Sequence, residues 1–155
     1  MNPDQIRMIR HTFGLVAGRP EIAASAFYQR LFELDPSLRL LFRSDLEEQG
    51  RKLMQMLAAA VGLLDRPESL LPALENLGRR HTNYGVRDEH YDTVGAALLW
   101  TLSESLGDLF SATAHEAWAS LYNLVAATMK RAANEENCVA LAADTHRAET
   151  GWAKA

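Results

Sequence analysis

Tyr28, Gln49 and His81 interrupt helical stripes that are otherwise apolar. In the stretch LGRRHTNYGV, His81 follows Leu70, Leu74 and Leu77 at spacings of four, three and four, which puts all of them on one face of a helix. Gln49 stands among Leu46, Leu53, Leu57, Val61 and Leu64, and Tyr28 sits beside Phe27. Burying a polar side chain without a partner costs roughly 1–3 kcal/mol. Three such placements call for a shared cause. One is a structural network, with Tyr28 bonded to Gln49 and His81 to a backbone carbonyl. The other is a ligand between the Gln49 helix and the His81 helix, gripped by the imidazole and faced by the hydroxyl and the amide.

The donor set narrows the second option. A bare transition metal needs about three or four protein ligands, more than one histidine supplies. One imidazole is enough for an iron whose four equatorial bonds come from a porphyrin. A single histidine beside a wide apolar slot therefore satisfies the requirement of a haem site, and the structural network stays open beside it.

The elements that must position these residues are helices, because strand-like alternation bounded by hairpin turns is missing. Seven or eight are expected. Asn2 and Pro3 open the first, which carries Ile6, Ile9, Phe13 and Val16 and stops at Gly18 and Pro20. The second spans Pro20 to Asp35 with Ala23, Phe27, Leu31 and Leu34 inward, and Pro36 begins a short turn ending at Phe42. Ser44 and Glu47 form a capping box before the Gln49 helix. Pro67 opens the His81 helix and Gly85 closes it. Asp88 is expected to cap a helix with Tyr91, Val94, Leu98 and Leu102, ending at Gly107. Thr113 and Glu116 form a second capping box ahead of Trp118, Leu121, Tyr122, Val125 and Met129.

With 155 residues, 48% of them hydrophobic, the chain fits one compact domain, which buries roughly 70% of its unfolded surface. We expect that domain over residues 1–133, and an extension over 134–155 that is partly helical or disordered. A net charge of −4 and the lack of a basic block argue against a nucleic-acid partner. Cys138 is the only cysteine, which excludes an internal disulfide and any multi-cysteine metal site. The N-terminus lacks a secretory pattern, and the longest apolar run, Met56 to Leu64, falls short of the ~20 residues that cross a bilayer. A cytoplasmic protein without a membrane anchor is expected.

Five segments, FYQRLFELDPSLRLLF, QGRKLMQML, LGRRHTNYGV, HYDTVGAALL and AWASLYNLV, occur in the order found in globins. Over about residues 3 to 132 the chain resembles the single-domain bacterial globins, of the Vitreoscilla haemoglobin and flavohaemoglobin type, and is also similar to neuroglobin. The resemblance implies an all-α globin fold, helices A–H in a three-over-three sandwich around haem b (Fe-protoporphyrin IX). It implies that His81 is the proximal iron ligand, Tyr28 and Gln49 the distal residues that stabilise a bound gas, and Phe42 the wedge against the haem. Leu53, Leu57, Leu77, Val86, Tyr91 and Val94 would line the pocket, and Lys52 and Arg80 would reach the propionates. Arg79 is a further candidate for the propionates.

By the same resemblance the ligands are O2, CO and NO, held with high affinity, in oxygen binding, storage or scavenging with NO detoxification as an added role. Glutamine is a poor iron ligand, so no bis-histidine ferric state is expected. An NO dioxygenase or peroxidase-like enzyme would draw electrons from an external reductase, since no G-x-G-x-x-G is present. The flavohaemoglobin type carries a carboxylate late in its last helix; the matching residue here is Ala133, with Glu135 and Glu136 out of register. A globin-fold sensor module without haem is the competing class, and either a monomer or a homodimer is compatible with the sequence.

Overall fold

Capping residues and helix-compatible apolar stripes resolve into six α-helices and two 3-10 turns among the described residues. The computed structural model describes residues 1–42 and 45–142. Ser44 and Trp152 lie outside them, as does the side chain of Cys138. The helices are α1 (Pro3–Ala17), α2 (Pro20–Leu34), α3 (Leu46–Gly62), α4 (Pro67–Asn83), α5 (Asp88–Leu106) and α6 (Ala112–Ala142). A 3-10 turn, Pro36–Leu41, follows α2, and another, Gly107–Leu109, follows α5. The all-α class expected from the periodicity is what is observed. No described helix is long and apolar enough to cross a membrane.

Local chemistry explains several ends. Asn2 accepts the Gln5 amide at 2.8 Å while the Gln5 side chain accepts the Asn2 amide at 3.2 Å, a reciprocal cap ahead of Pro3. Gly85 takes φ +90° just past α4, a conformation that a Cβ disfavours.

Other ends depart from expectation. Arg87, not Asp88, occupies the cap of α5, and its amide donates to His90 Nδ1 at 2.9 Å. Ser111 caps α6 by accepting the Ala114 amide at 3.1 Å, which places Thr113 inside the first turn. Asp45 is the cap residue of α3, with no side-chain cap bond, so Glu47 falls one position early for a box. Only at Ser111 does a side chain make the cap; at Arg87 and Asp45 the boundary falls where the backbone leaves the helical conformation, whatever the residue type. Leu34 is 41% exposed instead of inward, because α2 ends there and the chain turns aside at Asp35. Leu64 is buried but lies beyond the end of α3.

The core forms where α4 packs on α6, α2 on α5 and α3, and α1 on α6, α3 and α5. Ile9, Leu31 and Trp118 are fully buried at its centre. The indole of Trp118 donates to Thr12 Oγ1 at 2.8 Å, and that hydroxyl donates to the Met8 carbonyl at 2.7 Å, so the two buried polar groups satisfy each other. α6 continues without a break across residue 133.

Gly78 is where α4 touches α6. A Cβ there would meet the carbonyl of Met129 and lie 2.7 Å from its Cα. Gly14, on α1, has open space around it. Gly78→Ala should therefore lower stability by about 1–3 kcal/mol, whereas Gly14→Ala should raise it by about 0.5–1 kcal/mol through helix propensity. Urea unfolding midpoints of the two variants check this pair, and equal effects would contradict the close crossing.

Candidate functional site

The three polar residues of the apolar stripes divide between two sides of the fold. His81 lies in the last turn of α4 and is half-buried. Its Nδ1 is 2.9 Å from the Leu77 carbonyl, one turn back on the same helix. A carbonyl only accepts, so the proton sits on Nδ1 and Nε2 keeps its lone pair. Burial holds the imidazole below its usual pKa, Arg80 adds to that, and the Leu77 bond opposes it, so the neutral ring is favoured. The Tyr84 ring lies 5.4 Å from it, and the amides of Tyr84 and Val86 both donate to the His81 carbonyl, at 3.0 and 3.3 Å. Those bonds close the end of α4.

On the other side, Tyr28 is buried in α2 with Phe27 at 5.1 Å, Phe42 at 5.3 Å and Phe32 at 6.0 Å between ring centroids. Its hydroxyl donates to the backbone carbonyl of Gln49 at 3.3 Å. The partner is thus the main chain of Gln49, in the first turn of α3, and not its side-chain amide. Phe42 follows the 3-10 turn and is drawn in by Tyr28 and by Phe32, 5.7 Å away. Tyr28, Phe42 and the start of α3 are brought together as one cluster.

Leu53, Leu57, Leu77, Val86 and Val94 are half-buried, each packed on the core while keeping part of its apolar surface uncovered. Lys52 and Arg80 are exposed. Tyr91 is buried in α5; its carbonyl accepts the Tyr122 hydroxyl at 2.6 Å, and the Lys130 ammonium stands 5.9 Å from its ring centroid. Ala133 is buried and Glu135 is exposed, so neither puts a carboxylate beside Tyr91 from the inner face of α6.

Behind Leu53 and Leu57 lies an apolar cavity of about 20 Å³. Its walls include Phe13 of α1, Phe27 of α2, Met54 of α3, Thr101 of α5 and Trp118 of α6. Of these, Met54 and Thr101 carry no signal in the periodic pattern that points to a site. The hydroxyl of Thr101 is spent on the Ala97 carbonyl at 2.8 Å, which leaves the cavity apolar.

Comparison with known proteins adds an independent line. A family model described as Globin matches residues 25–129. The chain is 32% identical over 156 residues to a flavohemoprotein of Bordetella parapertussis, covering 98% of this chain and 38% of that protein. It is 31% identical over 129 residues to a flavohemoprotein of Vibrio cholerae, covering 81% of this chain and 33% of that protein. It is 37% identical over 118 residues to a neuroglobin of Tetraodon nigroviridis, covering 67% of this chain and 74% of that protein. The chain thus spans about a third of the length of these flavohemoproteins.

Burial also acts on the tyrosines. It pushes Tyr28 and Tyr91 up to about 12, with Asp88 adding to the effect at Tyr91, and it raises Tyr122 further, with Tyr91 and Asp92 contributing. The unfolded chain releases these protons near its ordinary value of about 10, so stability should fall as pH rises from there through the folded values. Urea midpoints measured through that alkaline range should drop steeply for the parent and less steeply for Tyr28→Phe. Identical slopes would mean that Tyr28 is not buried as described.

Proposed function

The chain belongs to the globin family, and from that premise we propose that it is a haem protein that binds O2, and also CO and NO, reversibly and tightly. The observation that carries this reading is the Nδ1 bond of His81 to Leu77, which commits one ring nitrogen to the backbone and keeps a neutral, lone-pair-bearing Nε2 for iron. The residues present fit the group. Leu53 and Leu57 of α3, Leu77 of α4, and Val86 and Val94 after it offer half-covered apolar surface suited to a flat ring. Lys52 and Arg80 are exposed cations suited to its carboxylates. When bound, haem b supplies the ferrous iron at which a diatomic gas coordinates.

The protein's own groups then set affinity. The Tyr28 hydroxyl has a single proton, directed in this structure at the Gln49 carbonyl. Gln49 lies in the first turn of α3, so its carbonyl also accepts an amide one turn on, and it loses little if the hydroxyl rotates away. A gas ligand carrying partial negative charge would accept a hydrogen bond from the hydroxyl; the Gln49 amide is the second donor. Such bonds contribute about 1–3 kcal/mol, or about tenfold to a hundredfold in off-rate. Because the 3.3 Å bond is given up, the lower end applies. Slow release suits scavenging or storage better than bulk delivery.

NO detoxification, or peroxidase-like turnover, with electrons from a separate reductase is the second reading. It is supported by the likeness to flavohemoproteins. Peroxidase chemistry is the weaker part, because the partner of His81 is a neutral carbonyl and the inner face of α6 carries Ala133. A carboxylate partner would make the imidazole a stronger donor.

An absorption spectrum of the purified protein, reduced, with and without CO and O2, tests the reading. His81→Ala should lose the pigment or its gas response, and retention of both at parental affinity would overturn the assignment. Tyr28→Phe should release O2 about tenfold faster while CO, a poor acceptor, leaves at nearly the parental rate; an unchanged O2 rate would remove the role given to Tyr28.

A further inference from the structure

α3 carries Gln49 near its start and Leu53, Met54 and Leu57 along the cavity, yet among the described residues it packs mainly on α2 and α1. Near its beginning the hold is a close approach: a Cβ on Gly50 would lie 2.8 Å from Cβ of Ala24 on α2. At its far end the hold is a side chain. Arg10 of α1 donates from Nε to the Val61 carbonyl at 3.2 Å, and from Nη2 to the Gly62 carbonyl at 3.1 Å and to Asp65 Oδ1 at 3.0 Å.

Those carbonyls belong to the last turn of α3, where intrahelical donors run out and the helix dipole places partial negative charge. A planar guanidinium can serve two adjacent carbonyls and a carboxylate at once, which an ammonium cannot do with fixed geometry. The partners lie 51, 52 and 55 residues from Arg10 in the chain, so the contact ties two separate helices. Phe13 and Val16, the next inward positions of α1, face Leu53, Met54 and Leu57 across the cavity that all of them line. The reach of Arg10 therefore sets how closely α1 and α3 approach there.

We propose that Arg10 is a positioning residue: it pins the C-terminal end of α3 to α1 and so fixes the α3 wall and the width of the apolar cavity behind Leu53 and Leu57. The part of this concerning gas kinetics rests on reading α3 as the wall that faces a bound gas. Asp65 is the minor partner. Its side chain is 56% exposed and that of Arg10 39%, and exposed ion pairs are screened and weak. The carbonyl bonds carry the pin.

Amide hydrogen exchange and CO association after flash photolysis test it, with Arg10→Ala, Arg10→Lys and Asp65→Asn. In Arg10→Ala, amides of the second half of α3 should exchange about tenfold faster, while those of α4, α5 and α6 stay within about twofold of the parent. CO association should rise several-fold, because the α3 wall at Leu53 and Leu57 is no longer held against α1. Arg10→Lys should fall between, since one ammonium reaches one carbonyl or the carboxylate, and Asp65→Asn should match the parent on both counts. Uniform acceleration across all helices, parental values in Arg10→Ala, or an Asp65→Asn variant that reproduces Arg10→Ala would each overturn the proposal. If Arg10→Ala does not fold, the local exchange of Arg10→Lys decides by the same criterion. Exchange needs no haem, so a chain that takes up no pigment would defeat the functional reading while selective loosening of α3 still supports the pin.

Discussion

The orientation of the imidazole at the end of α4 depends on one hydrogen bond, from Nδ1 of His81 to the carbonyl of Leu77. In a helix that carbonyl already accepts the His81 amide, and it has a second lone pair to spend. Placing the imidazole on the same face, one turn later, lets the backbone fix its tautomer without a second side chain. The rest of α4 preserves that register. Gly78 lets the helix lie directly on Met129 of α6, and the Tyr84 and Val86 amides complete the turn after His81. A bulkier residue at Gly78 would displace the histidine along with the helix that carries it.

A structural network of main-chain bonds and a ligand site are compatible in the folded protein. Tyr28, which is buried, bonds the Gln49 carbonyl and His81, which is half-buried, bonds the Leu77 carbonyl, so the main chain serves both groups. Neither bond consumes the capacity that matters for a ligand. Nε2 of His81 keeps its lone pair, and the Tyr28 proton is held by a long bond that rotation can exchange. Partial satisfaction of this kind lets a polar group sit in an apolar wall at low cost and remain usable.

The fold was legible to the level of helices and their faces. The stripes of Ile9, Phe13 and Val16, of Phe27 and Leu31, and of Leu70 and Leu74 are buried as their spacing implies. Caps were less legible. Arg87, Ser111 and Asp45 each lie within two residues of the one that the local pattern singles out, because the chain's exit direction sets the boundary and only Ser111 adds a side-chain bond. Leu34 shows the limit of periodicity: a residue can lie on the right stripe and still run past the layer that would cover it. In the candidate site, the amino-acid types at Tyr28, Gln49 and His81 drew attention because each breaks an apolar pattern. Met54 and Thr101 break none, and their place in the cavity wall could not be read.

The order of residues by itself determined which segments are helical, which face of each is apolar, and that one histidine sits on such a face. Those features depend on neighbours within a few residues, where the 3.6-residue period carries information. Only the tertiary structure decided that Tyr28 meets the main chain of Gln49 and not its amide, that Arg10 reaches the end of α3 across more than fifty residues, and that five helices share one cavity. These depend on the distance and angle between helix axes, set by how closely backbones can approach where a residue such as Gly50 or Gly78 carries no side chain. No periodic pattern along the chain encodes that separation.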